Sequence, residues 1–260
     1  MFKSLVAALA IGMSFFAISC GENDSDTIPV TQFNGVVHAA GGRAASATIS
    51  GNKVVNGQIA NGVGDVFQSS MSNATGNFNF STLDYSGPIH FSTDTTPSLT
   101  ATLASTPVNV NTPLALTPFS SVVTQVATNA GGLSTANINA AKASVQTWLG
   151  NAFDVYTTIP VDPATNANAD QASQAQKFYQ ILIGGLARMA NDLNKTNAEI
   201  MTDLINDASD GMLDGMMGAN PITDIGPTGF TMTLAACTSA YLTNESNLTV
   251  DMNAFNTFTT

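Results

Sequence analysis

The sequence predicts two domains, an N-terminal antiparallel β-sandwich and a C-terminal all-α bundle. Short apolar and polar alternations between Gly and Asn turns fill residues 32–113, and a two-residue period is typical of strands with one buried face. After residue 117 the apolar residues recur at helical spacing instead. Residues 32–117 contain three acidic and two basic side chains, whereas residues 118–260 contain twelve and four. Both changes predict a domain boundary between residues 113 and 117.

Residues 1–19 are predicted to be a lipoprotein signal peptide. Lys3 precedes an almost unbroken apolar run over residues 5–18, which is short for a membrane-spanning helix. The Ala-Ile-Ser-Cys sequence that ends at Cys20 is similar to the lipobox of bacterial lipoproteins, although Ala17 stands where leucine is usual. The resemblance implies that Cys20 becomes the first residue and carries lipid. The alternative is an ordinary secretory signal with an incidental cysteine.

Residues 20–31 are predicted to form a flexible acidic tether, because most of them are small, polar or acidic. Gly21 follows Cys20, and the sorting rule of enteric lipoproteins reserves inner-membrane retention for aspartate at that position. The resemblance therefore implies a bacterial cell-envelope protein that is lipid-anchored, with the outer membrane favoured over the inner one.

The strands of the first predicted domain lie between turn sequences. They fall at residues 33–38, 47–50, 64–67, 78–80, 89–92 and 99–103. Within this part, residues 33–37, 44–49 and above all 72–80 resemble the carboxypeptidase-regulatory-like (transthyretin-like) domain. In the last of these motifs, Gly76 suits a tight turn and places Phe78 and Phe80 on one face of the next strand. The resemblance implies a scaffold or interaction module and supplies no activity.

The second predicted domain, residues 117–260, begins with a helix. Thr117 and Pro118 suit its first turn, and Phe119, Val122, Val123 and Val126 form an apolar stripe. Further helices are predicted near residues 134–149, 169–191, 196–205 and 232–241. A Gly184-Gly185 pair inside the longest helix favours close helix contact over a hinge.

Taken together, these parts resemble a loose group of uncharacterised bacterial surface lipoproteins. The resemblance rests on the lipobox, the regulatory-like sandwich and short motifs at residues 116–123, 141–150 and 210–215. No activity is established for that group, so the resemblance implies none here.

The charge of the chain limits its partners. The full sequence has 18 acidic and 7 basic residues, a net charge of −11. Loss of Lys3 with the signal peptide leaves six basic residues and a charge of −12. No nucleic-acid partner is expected, because phosphate binding needs clustered Lys and Arg. Membrane attachment is expected to depend on lipid at Cys20.

An acidic turn at residues 206–215 is a weak calcium candidate through Asp207, Asp210 and Asp214. A standard EF-hand is excluded, because Ala208 and Met217 stand at loop positions that require oxygen ligands. The alternative is a solvated acidic turn that ends a helix.

The histidines and the second cysteine have ordinary interpretations. His38 and His90 have no Cys, His or Asp at metal-ligand spacing, which favours surface or interface histidines over a zinc site. Cys237 lies in an apolar stretch and is interpreted as a small buried hydrophobic residue.

Four aromatic side chains form a further candidate, a sugar-binding platform. They are Trp148, Phe153, Tyr156 and Tyr179. Their spacing favours core positions instead. No catalytic or cofactor-binding residue is predicted, and no cofactor is expected.

We therefore expect a non-catalytic cell-envelope protein, anchored by lipid, that displays a binding or structural module to an unknown protein or glycan. The alternative is an enzyme, or an enzyme accessory, that acts on envelope polymers through the helical domain. Carboxylates with shifted pKa values in a concave site would favour the enzyme.

Overall fold

The computed structural model describes residues 30–83, 85–107, 111–162, 169, 171–222, 225 and 229–251. The predicted signal peptide and Cys20 lie outside the described residues. The strands before the first helix are β1 (Val30–Ala39), β2 (Gly42–Arg43), β3 (Thr48–Val55), β4 (Gln58–Ile59), β5 (Ser70–Met71), β6 (Asn77–Leu83), β7 (Ile89–Thr93), β8 (Thr100–Leu103) and β9 (Asn111–Leu116). The helices are α1 (Pro118–Asn129), α2 (Thr135–Trp148), α3 (Gln174–Asp192), α4 (Asn197–Asp207) and α5 (Gly229–Asn244).

The strands form two sheets that contact each other through aromatic rings. The first sheet contains β2, β1, β6 and β9, and the second contains β4, β3, β7, β8 and β5. Phe33 on β1 and Phe80 on β6 both pack edge-on against Phe91 on β7, with ring centroids 5.1 and 5.2 Å apart. The predicted strand-rich N-terminal part followed by helices is confirmed at this level.

One strand pairing differs from the predicted antiparallel arrangement. β9 lies parallel to β1, with Gly35 opposite Leu114 and Val37 opposite Leu116. The segment from Leu114 to Leu116 is completely buried, as expected for a strand covered on both faces. The predicted sandwich ends at residue 113, so the sequence analysis does not include this parallel strand.

The predicted strand at residues 64–67 is wrong. A single bridge joins Val66 to Asn52, and the preceding residues form a turn in which Asp65 N–H donates to Gly62 O. Val66 is half exposed, so its apolar character does not reflect a buried strand face.

The two sheets share a common direction, which defines two ends of the strand layers. At the near end, Val30 pairs with Leu83, and Ile89 pairs with both Lys53 and Leu103. At the far end are the β1–β2 hairpin, the start of β6 and the pairing of Thr48 with Met71. The seven residues of β6 span about 20 Å, at about 3.3 Å per residue.

The starts of α1, α2 and α4 agree with the sequence analysis. Thr117, Ser134, Ser173 and Thr196 cap α1 to α4, each accepting a hydrogen bond from a backbone N–H three residues on. Such caps satisfy amides that the helix itself leaves unpaired. The predicted helix over residues 169–191 begins later, at Gln174, because Ser173 provides its cap.

The C-terminal part is not purely helical. A two-stranded hairpin, β10 (Met216–Met217) with β11 (Asn220–Pro221), follows α4 and a short 3₁₀ helix over Ala208–Asp210. Helix periodicity gives no signal for such a short hairpin, whose strands have two residues each.

Helix α1 lies against the second sheet at β8. Thr100 N–H donates to Ser121 Oγ at 2.8 Å, and Ser120 Oγ donates to Thr100 O at 2.7 Å. The strands and helices contribute to one continuous apolar core. The predicted boundary between residues 113 and 117 falls inside and directly after β9.

Candidate functional site

A cleft opens at the far end, between the first sheet and the segment that leads into α3. Its volume is about 560 Å³. One wall comes from β2, the start of β6 and the turn before it, and the other from residues 159–162 and 171–176. The polar lining residues are Arg43, Thr75, Asn77, Asp162, Gln171 and Gln176.

The turn before β6 is built by its own side chains. Asn73 Oδ1 accepts hydrogen bonds from the backbone N–H groups of Thr75 and Asn77, both at 3.0 Å. Gly76 has φ of +72°, and a Cβ there would lie 2.8 Å from Val37 O, so glycine is required on both counts. The turn motif that suggested the sandwich thus also positions two residues of the cleft.

Arg43 provides the positive charge of the cleft. The β1–β2 hairpin places it opposite His38, and its Nη2 donates to Pro160 O. Burial lowers the pKa of Arg43 to about 10, and the nearby Asp162 carboxylate opposes that shift. Its Nε and Nη1 are buried and have no hydrogen-bond partner among the described residues. Arg43 therefore stays charged at neutral pH with two donors unsatisfied.

His38 lies behind Arg43 and is only 1% exposed. Its Nδ1 is 3.0 Å from Ala39 O, which fits a neutral ring that donates from Nδ1. Burial, together with the nearby Arg43 charge, lowers the pKa of His38 to about 4. Gln180 on α3 lies near the ring, yet His38 Nε2 and Gln180 Oε1 both lack a partner within hydrogen-bond distance among the described residues.

Neither histidine lies at the surface, which was one of the two positions that the sequence favoured. His90 is 7% exposed, and its Nδ1 lies 2.9 Å from Thr102 Oγ1. Burial also lowers the pKa of His90 to about 4. The residues that the structure describes contain no group of three or more His, Cys, Asp or Glu side chains arranged to hold a metal ion.

The lining of the cleft contains hydrogen-bonding side chains, one positive charge and one negative charge. Arg43 and Asp162 are the ionisable residues among its described lining, and Thr75, Asn77, Gln171 and Gln176 are neutral. A guanidinium group binds carboxylate and hydroxyl oxygens well, because its N–H donors have a fixed planar geometry. This lining suits a polar ligand held by hydrogen bonds.

Sequence reasoning missed Arg43 as a site residue. It treated residues 39–43 only as a turn. The spacing of His38 and Arg43 around Gly41-Gly42 was a usable signal, because a tight hairpin places such residues opposite each other. The contribution of Gln171 and Gln176 had no local signal, since it depends on how α3 packs against the sheet.

The three calcium candidates lie at the end of α4 and in the segment that follows it, where their carboxylates accept backbone hydrogen bonds. Asp210 accepts from Met212 N–H at 3.1 Å and from Gly218 N–H at 3.0 Å. Asp214 accepts from Met216 N–H at 3.0 Å. These contacts shape the loop, and calcium binding by it stays a prediction.

Asp207 differs from the other two because it is fully buried. Its Oδ1 accepts from Gly215 N–H at 2.7 Å and from Met216 N–H at 3.0 Å, while Oδ2 has no partner among the described residues. Burial raises the pKa of Asp207 to about 7, and the Asp214 and Asp210 charges act in the same direction.

The predicted aromatic platform is mostly core. Phe153 stacks on Tyr179 with ring centroids 4.2 Å apart, and Tyr179 donates to Val155 O at 3.0 Å. Tyr156 is also buried, whereas Trp148 is partly exposed. Burial raises the pKa values of both tyrosines.

Cys237 is buried, as the sequence suggested. Its Sγ lies 3.8 Å from Asp192 Oδ2. Burial, together with the nearby Asp192 carboxylate, raises the pKa of the thiol to about 11. The thiol therefore stays protonated and unreactive at neutral pH.

Within the described ranges, no helix has the length and apolar character needed to cross a membrane.

Comparison with known proteins gives little further information. No protein-family profile and no curated protein matches the sequence. A crystal structure of chlorocatechol 1,2-dioxygenase from Pseudomonas putida resembles part of the chain, with a TM-score of 0.25 and 15% sequence identity. The match covers 36% of this chain and 59% of the dioxygenase chain. Likeness at this level carries no argument about fold or activity.

Proposed function

We propose that this chain is a non-catalytic, lipid-anchored protein of the bacterial cell envelope that binds a polar ligand in the Arg43 cleft. In this proposal Cys20 carries the lipid, a transthyretin-like sandwich and a helical bundle form the folded part, and the outer membrane is the favoured location. The chain would then belong with the surface lipoproteins whose order of parts it resembles.

The observation that carries the proposal is the position of the cleft. Chain from Cys20 enters the fold at Val30, at the near end of the strand layers, whereas Arg43 and Asn77 lie at the far end. An anchor at Cys20 therefore attaches at the end of the strand layers opposite the cleft, which lies about the length of the strands away, roughly 20 Å or more. That arrangement suits display of a binding site.

The lining favours a glycan with carboxylate groups as the ligand. Amide and hydroxyl side chains hydrogen-bond sugar hydroxyl groups, and the Arg43 guanidinium places a positive charge in the wall of the cleft, which attracts a carboxylate. Pro160 and Val161, which also line the cleft, provide a small apolar surface. A protein segment is the other ligand class that was expected from the sequence.

Intact-protein mass spectrometry of the membrane fraction tests the anchor. We expect a chain that begins at Cys20 and carries acyl groups, because the cysteine stands where a lipobox requires it. Cys20→Ala is expected to abolish acylation. A free, unacylated native species would contradict the anchoring part of the proposal.

Calorimetric titration with an oligogalacturonate tests the cleft, with a neutral maltooligosaccharide as comparison. Arg43→Gln is expected to weaken binding of the acidic oligosaccharide about tenfold or more, because a hydrogen bond to a charged group contributes about 1.5–3 kcal/mol. Arg188→Gln is the matched control, since Arg188 pairs with Asp192 and Glu245 on the surface. Equal binding by Arg43→Gln and native protein would exclude the cleft as the site.

The alternative enzyme requires an accessible carboxylate with a shifted pKa in a concave site. Asp207 has the shifted pKa, but it has no exposed surface, and two backbone amides occupy its Oδ1. This is why we propose binding rather than catalysis.

A further inference from the structure

Large apolar side chains are exposed at the end of β3 and along the chain that follows it. Val63 is fully exposed, and Val55, Ile59 and Val66 are 47%, 40% and 51% exposed. All four lie within residues 55–66, on the β3–β4 hairpin and the loop after it. We call these four residues the apolar rim. Val54 pairs with Ile59 and Val55 with Gln58, so Val55 and Ile59 lie on opposite faces of the hairpin and the rim is not one flat face. Exposed apolar side chains grouped in this way are typical of a contact with an apolar partner.

The apolar rim lies at the near end, where the chain from Cys20 enters the fold. Val30 pairs with Leu83 at the end of β6. Just beyond β6, the Tyr85 hydroxyl donates to Val54 O at 3.3 Å and to Pro88 O at 2.9 Å. Val54 N–H in turn donates to Pro88 O at 2.9 Å. The start of β1 and the end of β3 therefore lie close together, because the end of β6 pairs with β1 and the chain soon after β6 contacts Val54.

The length of chain before β1 keeps this end close to a membrane anchor. Residues 20–29 form a segment of ten residues, which spans at most about 36 Å when fully extended. A rim at the far end would lie farther away by the length of the strands. The rim is therefore within reach of the bilayer surface that holds an acylated Cys20.

The charges next to the apolar rim do not oppose contact with a bilayer of neutral lipid. Lys53 and Asp65 lie close to rim residues in sequence and have opposite charges. Lys53 Nζ lies 5.4 Å from the ring centre of Tyr85. The turn after α1 lies beside the β3–β4 hairpin, since Leu133 N–H donates to Gly57 O at 2.8 Å. The acidic loop after α4 lies beside the end of α1, since Asn129 donates to Ser209 O. Anionic headgroups would be repelled there, so neutral lipid is the surface that fits best.

We propose that the apolar rim lies in the interfacial region of the bilayer and holds the near end of the protein against the membrane. The inference depends on the proposed lipidation of Cys20. The acyl chains provide attachment, and the rim fixes the orientation that directs the Arg43 cleft outward.

Fluorescence of a site-specific label tests the contact. The acylated full-length chain with Val63→Cys carries an environment-sensitive label and is placed in neutral phosphatidylcholine vesicles that contain a doxyl-labelled lipid quencher. Met71→Cys is the matched control, because Met71 is a 63% exposed apolar residue at the far end. We expect a blue shift and quenching for position 63, and neither for position 71. Ile59→Cys provides a second position within the rim.

The outcomes separate the two proposals. Acylated, vesicle-bound protein whose label at position 63 is neither shifted nor quenched would overturn the rim contact and leave the anchor intact. A label that is shielded from water but not quenched by the lipid would also overturn it, in favour of contact between two copies of the chain. Unacylated protein in the mass spectrum of the same sample would overturn the anchor, and the rim contact with it.

Discussion

The buried carboxyl group of Asp207 makes the stability of this fold depend on pH. The side chain accepts two backbone hydrogen bonds, which favour its charged form, yet burial outweighs them and raises its pKa to about 7. In the unfolded chain its pKa is near 3.8. The folded state therefore binds the proton more tightly than the unfolded state.

Asp207→Asn should change how stability depends on pH. The contribution of Asp207 is fully present below pH 3.8 and is lost as pH rises toward 7, because the folded protein must then hold a buried charge. At about 1.4 kcal/mol per pKa unit the loss reaches a few kcal/mol. Urea unfolding across this range should show the variant gaining stability relative to the native protein as pH rises.

The quantity to measure is the difference in unfolding free energy between the native protein and Asp207→Asn, because the histidines change stability with pH in the opposite direction. Burial lowers the pKa values of His38 and His90 from 6.5 to about 4. Their contribution is present above pH 6.5 and is lost as pH falls toward 4. A difference between native protein and Asp207→Asn that does not vary with pH would contradict the raised pKa.

At the scale of elements, the crossing of α3 and α5 depends on the Gly184-Gly185 pair. A Cβ at Gly184 would lie 2.2 Å from the Tyr241 ring, and one at Gly185 would lie 2.2 Å from Thr238 Oγ1 and 2.9 Å from the Thr238 backbone. The backbone cannot rotate away as a side chain can. Close helix contact therefore explains the pair, as the sequence favoured.

Gly185→Ala is expected to destabilise the protein by about 1–3 kcal/mol, because overpacking at the crossing outweighs the better helix propensity of alanine. Thermal unfolding measures the effect. Thr238→Ala in the same chain should restore part of the stability, since it removes Oγ1 but leaves the close approach of the Thr238 backbone. Unchanged or increased stability in Gly185→Ala would instead favour a flexible hinge at this point.

At the scale of the whole molecule, the predicted domain boundary lies in the interior. Leu114, Leu116 and Phe119 have no exposed surface. Ala115 N–H donates to Tyr156 O at 2.7 Å, and Thr117 hydrogen-bonds the Tyr179 hydroxyl. The strand layers and the helices thus share an extensive contact at the point where the chain passes between them, whether or not they are separate domains.

Limited proteolysis with an unspecific protease should therefore spare residues 114–119. The first cuts are expected in the exposed loop at residues 61–64, because proteases require accessible, locally unfolded backbone. Early cleavage at 114–119 with that loop intact would show that the boundary is an exposed linker.

The candidate site was only partly predictable from sequence. The Asn73 to Asn77 turn and the strand that follows it are local features, and both were predicted from a short stretch, whereas the helix capped by Ser173 was predicted to begin at residue 169. The cleft itself combines Arg43, Asn77 and Gln176, whose side chains meet only when α3 packs near the first sheet. The sequence around Gly41, Gly42 and Arg43 gives no indication that α3 packs near this part of the first sheet.

The sequence by itself determined the local structure of this protein: where strands alternate, where Thr117, Ser134 and Thr196 begin helices, and which residues are apolar enough to be buried. These properties depend on neighbours within a few positions, so they can be derived without a fold. Tertiary structure decided the rest. It paired β9 with β1 in parallel, buried His38 and Asp207 so that their pKa values shift, and placed the Arg43 cleft and the apolar rim at opposite ends. Each of these results requires residues that are distant in sequence to come together.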